Sequence, residues 1–531
     1  MRTALLSQPS DPVDTMTQSA SLTEPRIRPG AAGDAGPHAV VIGAGFGGLA
    51  AALRLRAKGY RVTLLERGPA LGGRAQVFER DGFRHDAGPT VITAPFLLEE
   101  LFALFDRRLE DYIRLVPLDP WYRFRFADGD TFDYGGTVDD TLREIARIEP
   151  ADADGYLRLL EHSRKLFEAG FAELADQPFD RPWLMAREVP RLLKLQAYRS
   201  VWQLVSKYLR SPKLRQAFSV QSPLVGGNPF DTTSIYGLIH YLEREWGVFF
   251  AMGGTGAIVA ALERLMQEVG VEVRLNTTAA ALDVEGGRAR AVRLEDGHRL
   301  AADVIVSNAD PMHLYGEMVA PDAQGLAARL KRRQARLSMG LFILYFGTRR
   351  QYGDVAHHTI WLGRRYRDLL SDIFKGRRGL AEDFSLYLHR PTATDASFAP
   401  SGCDAYYALC PVPNLDAGVD WAAEGPRLRD RIVAALERTM LPDLSRQITA
   451  DFFMTPEDFQ TRYLSVSGAG FSIAPYFTQS AWFRFHNRAE GIDGLYLVGA
   501  GTHPGAGVPG VLCSAKVVDK LVPAAATFKA R

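Results

Sequence analysis

Three glycines near the start of the chain have the spacing that a dinucleotide-binding loop requires. Gly43, Gly45 and Gly48 form a GxGxxG pattern after an apolar run, residues 39–42, short enough for a buried parallel strand. The first glycine allows a tight turn, the second lets backbone approach a pyrophosphate, and the third lets the next helix pack on the strand. That helix, predicted to begin near Gly47, points the positive end of its dipole at the phosphates.

An acidic residue and a second glycine pair follow at informative distances. A predicted strand, Arg61 to Leu65, ends at Glu66, about twenty residues after the glycines, where a carboxylate accepts hydrogen bonds from ribose hydroxyls. Gly72, Gly73 and Arg74 come next, and the planar guanidinium of Arg74 could pair with a pyrophosphate. This second motif resembles that of FAD-dependent amine oxidases and carotenoid desaturases, whereas NAD dehydrogenases have no reason to keep it.

The end of the chain holds another glycine-rich loop. A predicted buried strand, Leu495 to Val498, leads into GAGTHPGAGVPGV, residues 499–511, and a helix is predicted from about Val511. So many glycines between a strand and a helix predict backbone lying close to a large, flat group. The amino end of the helix would stabilise the negative charge of a reduced flavin there.

Length and composition limit the classes of protein to consider. A chain of 531 residues is too long for one small core, so we expect two domains. The net charge of +1 gives no reason to expect nucleic acid as a partner. Three cysteines form no CxxC pair, which fits a reducing cytoplasm. Residues 1–37 are predicted to be a disordered tail without the apolar core of a signal peptide, and no apolar run is long enough to span a bilayer.

One basic stretch stands out in the middle of the chain. Residues 189–216 carry seven lysines or arginines and no acid, and Leu192, Leu195, Trp202, Val205 and Leu209 recur at helical spacing. The pattern predicts a basic amphipathic helix, of the kind that lies on an anionic membrane surface. The alternative is a helix that packs on its own domain with a solvated basic edge.

Histidines do not predict a metal site. His357 and His358 are adjacent, and adjacent positions on a strand point to opposite faces. His389 has no evident ligand partner in the sequence, so we assign no metal. The runs LFILYFG, from Leu341, and EDFSLYLH, from Glu382, alternate like strands of a sheet with one packed face, backed by helices.

Several of these motifs together resemble the bacterial-type phytoene desaturases, members of the carotenoid desaturase family of FAD-dependent amine-oxidase-like flavoproteins. The resemblance runs from about Ala39 to Leu521. Its motifs are GLYLVGAGTHPGAGVPGVLCS from Gly494, LVGGNPF from Leu224, LEREWGVFF from Leu242, GGTGA from Gly253, AEDFSLYLH from Ala381 and TQSAWFRFHN from Thr478. The C-terminal motif is specific to carotenoid desaturases and their relatives.

The resemblance implies an α/β protein with non-covalently bound FAD. A discontinuous Rossmann-like FAD-binding domain is expected over residues 38–95, 250–310 and 490–525. An α+β substrate domain, with a mixed or antiparallel sheet and a helical, membrane-associated part, is expected over residues 96–249 and 311–489. The implied cofactor-binding residues are Gly43, Gly45, Gly47, Gly48, Glu66, Arg67, Gly73, Arg74, Gly88, Pro89, Thr90, Asp310, Gly501, Thr502, Val508, Pro509, Gly510 and Val511.

The resemblance also implies an activity. Phytoene would be dehydrogenated stepwise toward neurosporene or lycopene by a cytoplasmic protein bound peripherally to the inner face of the cell membrane. A membrane quinone or dioxygen would reoxidise the flavin. Arg187, Glu243 and Glu245 are candidates for polar, catalytic residues near the flavin. The acid that the family carries near Arg187 is replaced here by Leu184, so a role for that acid is in doubt.

Three alternatives remain open from the sequence. The chain could desaturate or isomerise another carotenoid, such as a hydroxylated one. It could be an amine oxidase, although the neighbours of Cys513 do not resemble a covalent flavin attachment site. It could be a non-catalytic prenyl-lipid carrier like the GDP-dissociation inhibitors, but Glu66 and the Gly72–Arg74 motif argue against a protein without flavin.

Overall fold

The computed structural model describes residues 36–375 and 379–529, so the predicted disordered tail lies outside it except for its last two residues. In these ranges the strands are β1 (His38–Ile42), β2 (Arg61–Leu65), β3 (Val77–Arg80), β4 (Phe83–Asp86), β5 (Leu115–Pro117), β6 (Tyr122–Arg125), β7 (Thr131–Tyr134), β8 (Phe249–Ala251), β9 (Glu272–Arg274), β10 (Ala279–Glu285), β11 (Arg288–Leu294), β12 (Arg299–Ala301), β13 (Val304–Ser307), β14 (Gly340–Thr348), β15 (His358–Trp361), β16 (Leu386–His389), β17 (Asp404–Val412), β18 (Ile448–Met454) and β19 (Leu495–Leu497).

The helices of the same ranges are α1 (Phe46–Ala57), α2 (Phe96–Ala103), α3 (Val138–Ile148), α4 (Ala153–Phe167), α5 (Pro182–Lys194), α6 (Val201–Tyr208), α7 (Pro212–Ala217), α8 (Gln221–Leu224), α9 (Leu238–Trp246), α10 (Gly254–Glu268), α11 (Pro311–His313), α12 (Leu326–Gln334), α13 (Tyr366–Phe374), α14 (Trp421–Thr439), α15 (Leu444–Gln447), α16 (Pro456–Tyr463) and α17 (Val508–Leu521). None of these helices is both long and apolar enough to cross a bilayer.

A five-stranded parallel sheet, in the order β19-β13-β1-β2-β9, brings together the beginning, middle and end of the chain. In its register Ile42 pairs with both Leu65 and Ser307, and Ser307 pairs with Leu497. The carboxyl ends of β1, β2, β13 and β19 therefore meet at one edge. That edge is where open parallel sheets bind ligands.

A second sheet, of seven strands in the order β18-β14-β17-β16-β15-β6-β7, is antiparallel except where β15 pairs with β6. The strands predicted from LFILYFG and EDFSLYLH are β14 and β16, and the α/β class with a mixed sheet is confirmed. The expectation of one packed face is wrong for β14, which is buried on both faces. Phe342 and Leu344 pack with α14, whereas Leu341 and Ile343 face an internal cavity.

The basic stretch predicted as one helix over residues 189–216 is instead parts of α5, α6 and α7. Gln196 has a left-handed φ of 56°, and Ser200 begins α6 with a capping box, so the first helix cannot continue. Ser211 caps the start of α7 with its side chain, and Pro212 is the first residue of that helix. Val205 and Leu209 are buried in the core, so this part of the predicted apolar stripe does not face a membrane.

Candidate active site

The loops at the carboxyl edge of the parallel sheet open into a cavity of about 1050 Å³. One end of the cavity is bounded by glycine-rich backbone, and the other by apolar side chains of the second sheet and of the helices that cover it. Both ends belong to one continuous space. A group bound at the glycine end would therefore be in contact with whatever fills the apolar end.

The first glycine loop turns β1 into α1. Gly43 has a φ of +89°, which few side chains tolerate, and a Cβ on Gly48 would lie 1.9 Å from the carbonyl oxygen of Gly43. Gly48 therefore serves the close packing of helix on strand and does not line the cavity, whereas Gly43, Gly45 and Gly47 do. The free N–H groups at the start of α1 face this space, as phosphate binding requires.

Asn308, which follows β13, is a neighbour of the glycines that sequence reasoning missed. A Cβ added at Gly45 would lie 2.9 Å from its amide nitrogen, and one added at Gly47 would lie 2.6 Å from its amide oxygen. A Cβ at Gly499 would lie 2.7 Å from the same oxygen. The side chain of Asn308 thus fills the space between the first and last glycine loops, and its tight fit helps to explain the glycines around it.

Glu66 lies at the end of β2 and lines the cavity, as the sequence predicts for a ribose-binding acid. Its carboxylate accepts hydrogen bonds from the backbone N–H groups of Ala44, at 2.9 Å, and Gly68, at 2.8 Å. These bonds fix the carboxylate beside the glycine loop. Arg67, next along the chain, also lines the cavity and donates to the carbonyl oxygen of Thr461 at 2.9 Å.

Arg74 and Asp310, at the same end of the cavity, have hydrogen-bonding groups that no described residue satisfies. Among the described residues the guanidinium of Arg74 donates one hydrogen bond, to the hydroxyl of Ser465 at 2.6 Å. Burial lowers the pKa of this guanidinium, while Asp310 opposes that shift. One carboxylate oxygen of Asp310 accepts from the N–H of Met312, and the other is buried without a partner among the described residues. A polar group that binds both charges would satisfy them, and the pyrophosphate and ribityl hydroxyls of FAD have the required chemistry.

The segment Gly88–Thr90 forms another wall of the cavity. A Cβ on Gly88 would lie 2.3 Å from the carbonyl oxygen of Arg74, so Gly88 lets the two segments touch. The hydroxyl of Thr90 is hydrogen-bonded to the hydroxyls of Tyr387, at 2.8 Å, and Tyr407, at 2.7 Å. Pro89 and Thr90 thus connect the cofactor end to the second sheet.

The C-terminal glycine loop closes the cavity on the remaining side. The cavity is lined here by Gly501, Val508, Pro509, Gly510 and Val511. The helix α17 begins at Val508, three residues before the predicted start, so its amino end lies directly at the cavity. Thr502 is fully buried behind the wall, where its hydroxyl donates to the carbonyl oxygen of Gly499 at 3.1 Å, and its side chain does not line the cavity.

A buried arginine holds this loop in place. Arg484 is 1% exposed and donates to the carbonyl oxygens of Thr502, at 2.9 Å, and Ala500, at 2.6 Å. It also donates to the carbonyl oxygens of Gln479, at 3.1 Å, and Ile473, at 3.2 Å. Arg484 lies within the TQSAWFRFHN motif, but the motif alone does not indicate that this residue binds the C-terminal loop.

Of the three candidate catalytic residues, the structure brings only Glu243 into the cavity wall. Its carboxylate is 1% exposed, accepts from the hydroxyl of Tyr122 at 2.8 Å, and lies 3.4 Å from the amide nitrogen of Gln221. Burial raises the pKa of Glu243 to about 7, while these hydrogen bonds act in the opposite direction. A carboxyl with a pKa near neutrality can accept or donate a proton at physiological pH.

Glu245 and Arg187 lie outside the cavity lining. Glu245 is exposed because it follows Glu243 by two residues on α9, a rotation of about 200° that points the two carboxylates in opposite directions. Arg187 is on the outer side of α5, with 61% of its side chain exposed, and pairs with Glu188 at 3.0 Å. Neither placement allows contact with a group bound in the cavity.

The apolar end of the cavity reaches the surface beside α5. Met185 and Leu192 of α5 line it together with Phe477 and Ala481. Around this point Trp183, Leu193 and Tyr198 are more than half exposed. Exposed apolar side chains in such a cluster, near Lys194 and Arg199, are typical of a surface that meets another molecule or a lipid layer.

Three buried histidines, His357, His358 and His389, lie together although the sequence predicts no contact among them. The expectation that His389 has no partner is wrong, because its Nε2 lies 3.1 Å from Nε2 of His357. The prediction that His357 and His358 point to opposite faces of a strand is wrong, because β15 begins at His358 and His357 lies before it. The centroids of the two rings are 4.6 Å apart.

Comparisons with known proteins agree with this geometry. The family model described as "Flavin containing amine oxidoreductase" matches residues 46–518. A lycopene-forming phytoene desaturase of Pantoea ananas is 49% identical over 91% of this chain and 98% of its own length. A neurosporene-forming phytoene desaturase of Rhodobacter capsulatus is 43% identical over 92% of this chain and 94% of its own length. An oxidoreductase of Methanosarcina mazei has a similar fold, with a TM-score of 0.63 at 17% identity, over 91% of this chain and all of the solved chain.

Proposed function

The chain belongs to the flavin-containing amine oxidoreductase family and, within it, to the bacterial phytoene desaturases, and we propose that it dehydrogenates phytoene in successive steps toward neurosporene or lycopene. The observation that carries this proposal is the near-complete match to desaturases with those two products, at 43–49% identity. The cavity supports it, because a long hydrocarbon needs an apolar chamber that adjoins the cofactor.

FAD, when bound at the glycine loops, supplies the hydride acceptor for the dehydrogenation. We propose that the loop Gly43–Gly48 and Arg74 hold its pyrophosphate, that Glu66 holds its ribose, and that the start of α17 faces its ring. The apolar walls exclude water and hold the hydrocarbon chain against that end of the cavity. We propose that residues 38–95, 250–310 and 490–525 form the FAD-binding domain and that residues 96–249 and 311–489 form the substrate domain.

Each desaturation breaks two C–H bonds, so the hydrogen that does not leave as a hydride leaves as a proton. We propose that Glu243 accepts this proton. It is the candidate acid that lines the cavity, and its raised pKa, about 7, suits a base at neutral pH. The hydroxyl of Tyr122 donates to the carboxylate and so orients it toward its task.

The substrate's chemistry also suggests where the protein works. Phytoene gains roughly 0.8 kcal/mol for each CH₂ kept from water, so it stays in a lipid bilayer unless an equally apolar path is offered. We propose that the exposed cluster Trp183, Leu193 and Tyr198, with the basic residues of the 189–216 stretch, docks on the inner face of the cell membrane. Substrate would then enter beside α5, and a membrane quinone or dioxygen would take the electrons.

Pigment analysis tests the proposal directly. Expression of the chain in a host that accumulates phytoene should yield neurosporene, lycopene or both, separated by liquid chromatography. A matched culture expressing Gly45→Val should keep its phytoene. Unchanged phytoene in the presence of folded, yellow protein would refute the substrate assignment, and conversion of a hydroxylated carotenoid instead, or isomerisation without new double bonds, would identify one of the alternatives.

A further inference from the structure

We propose that His357, His358 and His389 form a binding site for a divalent transition-metal cation of the zinc class. All three side chains are buried, and one ligand atom from each can be chosen so that the three atoms lie within 4.8 Å of one another. The cluster lies outside the cofactor end of the cavity, and this inference does not depend on the proposed substrate.

The backbone already brings two of the ligands together. His358 and His389 are directly opposite each other in the antiparallel pair β15–β16, and His357 immediately precedes β15. Two nitrogen ligands on a tetrahedral zinc ion, each about 2.0–2.1 Å from the metal, are about 3.3 Å apart. The Nε2 atoms of His357 and His389 are 3.1 Å apart, so a small adjustment of the rings would accommodate an ion.

Two of the rings are held by hydrogen bonds at the nitrogen that would not bind the metal. Nδ1 of His357 lies 2.7 Å from the hydroxyl of Thr394, and Nδ1 of His358 lies 2.7 Å from the hydroxyl of Tyr387. Metal-binding histidines usually have such a partner, which fixes the tautomer and the ring orientation. In both rings Nε2 is the nitrogen left for a metal. Nε2 of His357 lies 3.1 Å from Nε2 of His389, and Nε2 of His358 has no partner among the described residues.

Two ring nitrogens without hydrogen-bond partners distinguish this cluster from histidines that only hydrogen-bond to one another. A hydrogen bond between His357 and His389 would explain their contact, but Nε2 of His358 and Nδ1 of His389 have no partner among the described residues. Buried polar atoms without partners are rare and mark an ion or water, or a catalytic role. A metal bound by the three Nε2 atoms would give His358 its missing partner.

A positively charged residue lies beside the cluster, and its charge is offset. Arg390 lies near His357 and would repel a cation. Its charge is balanced by Asp404, whose carboxylate it contacts at 3.0 and 3.3 Å.

A second pocket provides access to the cluster. His357 and Thr394 line a polar pocket of about 540 Å³, which is also lined by two acids, Asp119 and Asp354, and two arginines, Arg123 and Arg390. The pocket also has room for a water molecule as the fourth ligand.

Metal content and metal geometry together test the site. Full-length, FAD-loaded protein without a histidine tag should be incubated with Zn²⁺, freed of excess metal by gel filtration, and analysed for bound zinc. We expect about one zinc per chain, and zinc-edge X-ray absorption should show histidine nitrogens at about 2.0–2.1 Å. Wild-type protein that keeps less than about a tenth of an equivalent, or whose zinc has no histidine ligands, would overturn the proposal.

Variants locate the metal within the molecule. His358→Gln and His389→Gln should each lose most of the bound zinc. Two matched controls should keep it: His240→Gln, which alters another buried histidine outside the cluster, and His298→Gln, which alters an exposed one. Equal zinc loss in His240→Gln, or full zinc retention in folded cluster variants, would contradict the site. If the cluster variants do not fold, the wild-type absorption spectrum still decides the question.

Discussion

The two ends of the cavity bind their ligands by different means. At the glycine end the walls are backbone and a few fixed charges, and most of the contributing loops follow β1, β2, β13 and β19. At the apolar end the walls are side chains such as Leu242, Leu341 and Leu369, which come from separate helices and strands. A side chain added at the glycine end cannot be compensated there, because the surrounding atoms are backbone, whereas neighbouring side chains at the apolar end can repack around a substitution. We therefore expect substitutions to be harmful at the glycine end and tolerated at the apolar end.

The largest effect should come from added bulk in the first glycine loop. Gly45→Val puts a branched side chain where backbone approaches the pyrophosphate, so we expect loss of FAD and of all measurable conversion. Flavin absorbance of the purified protein and pigment yield are the measurements. Gly353→Val is the control, because a Cβ at Gly353 meets nothing within 4 Å.

A double variant separates this effect from a clash inside the protein, since the Cβ at Gly45 also meets Asn308. Gly45→Val combined with Asn308→Ala removes that clash. It should still lack FAD if the ligand itself needs the space. Recovery of FAD in the double variant would show that the glycine serves the fold of the loop and not the cofactor.

The next largest effect is expected at Glu243, the candidate catalytic carboxylate that lines the cavity. Glu243→Gln keeps the size of the side chain but cannot accept a proton, so conversion should fall by about 10²–10⁴-fold. In the wild type only the ionised form is a base, so conversion should rise as pH increases through the raised pKa of about 7 and level off above it. Initial rates in liposomes on both sides of pH 7 measure this.

Glu245→Gln is the matched control for that experiment, because Glu245 is on the same helix but exposed. It should keep both the rate and the inflection. If Glu243→Gln retained the inflection near pH 7, another group would be the proton acceptor.

A smaller effect is expected at the C-terminal loop. Gly507 has a φ of +94° and lines the cavity just before α17, while the phosphates of FAD would be held at the other glycine loop. Gly507→Leu should therefore keep part of its FAD, shift the flavin absorption spectrum, and lose about 10²-fold in conversion, as expected when reacting groups are displaced by about 1 Å. A wild-type spectrum and rate would show that the loop does not touch the flavin.

The surface beside α5 should contribute less to conversion, since changes there leave the cavity walls intact. Reversing Arg199, Lys207 and Arg210 to glutamate should weaken binding to anionic liposomes by about fivefold per residue near the surface, and less at high salt. Changing Trp183 and Leu193 to serine should weaken binding at any salt concentration, because it removes exposed apolar area. Co-sedimentation measures both, and two unchanged affinities at low salt would place the docking surface elsewhere.

The smallest effect is predicted for the apolar wall itself. Leu369 is buried and lines the cavity, and Leu369→Met preserves its volume with a more flexible side chain. We expect less than about 1.5 kcal/mol of lost stability and a conversion rate within about twofold of the wild type. A loss of conversion as large as that of Gly507→Leu would mean that the apolar end is as sensitive to substitution as the glycine end, and would contradict the difference between them.

The same contrast explains what the sequence could predict. The turn at Gly43, the acid Glu66 and the C-terminal glycine loop belong to motifs a few residues long, so residue type and spacing are sufficient to find them, although α17 begins three residues before its predicted start. Asn308 and Arg484 act through contacts with loops far away in the chain, and no local pattern marks them. The histidine cluster was missed for a similar reason, since its geometry depends on where β15 begins and on its pairing with β16.

The buried guanidinium of Arg484 has a consequence for how the molecule opens. It is bound by carbonyl oxygens of two segments, Gln479 and Ile473 on one side and Ala500 and Thr502 on the other. Neither segment can move away without leaving an enclosed cation short of acceptors, a loss of several kcal/mol. The two segments should therefore detach from the protein only together, and their amide hydrogens should exchange with deuterium at a common, slow rate.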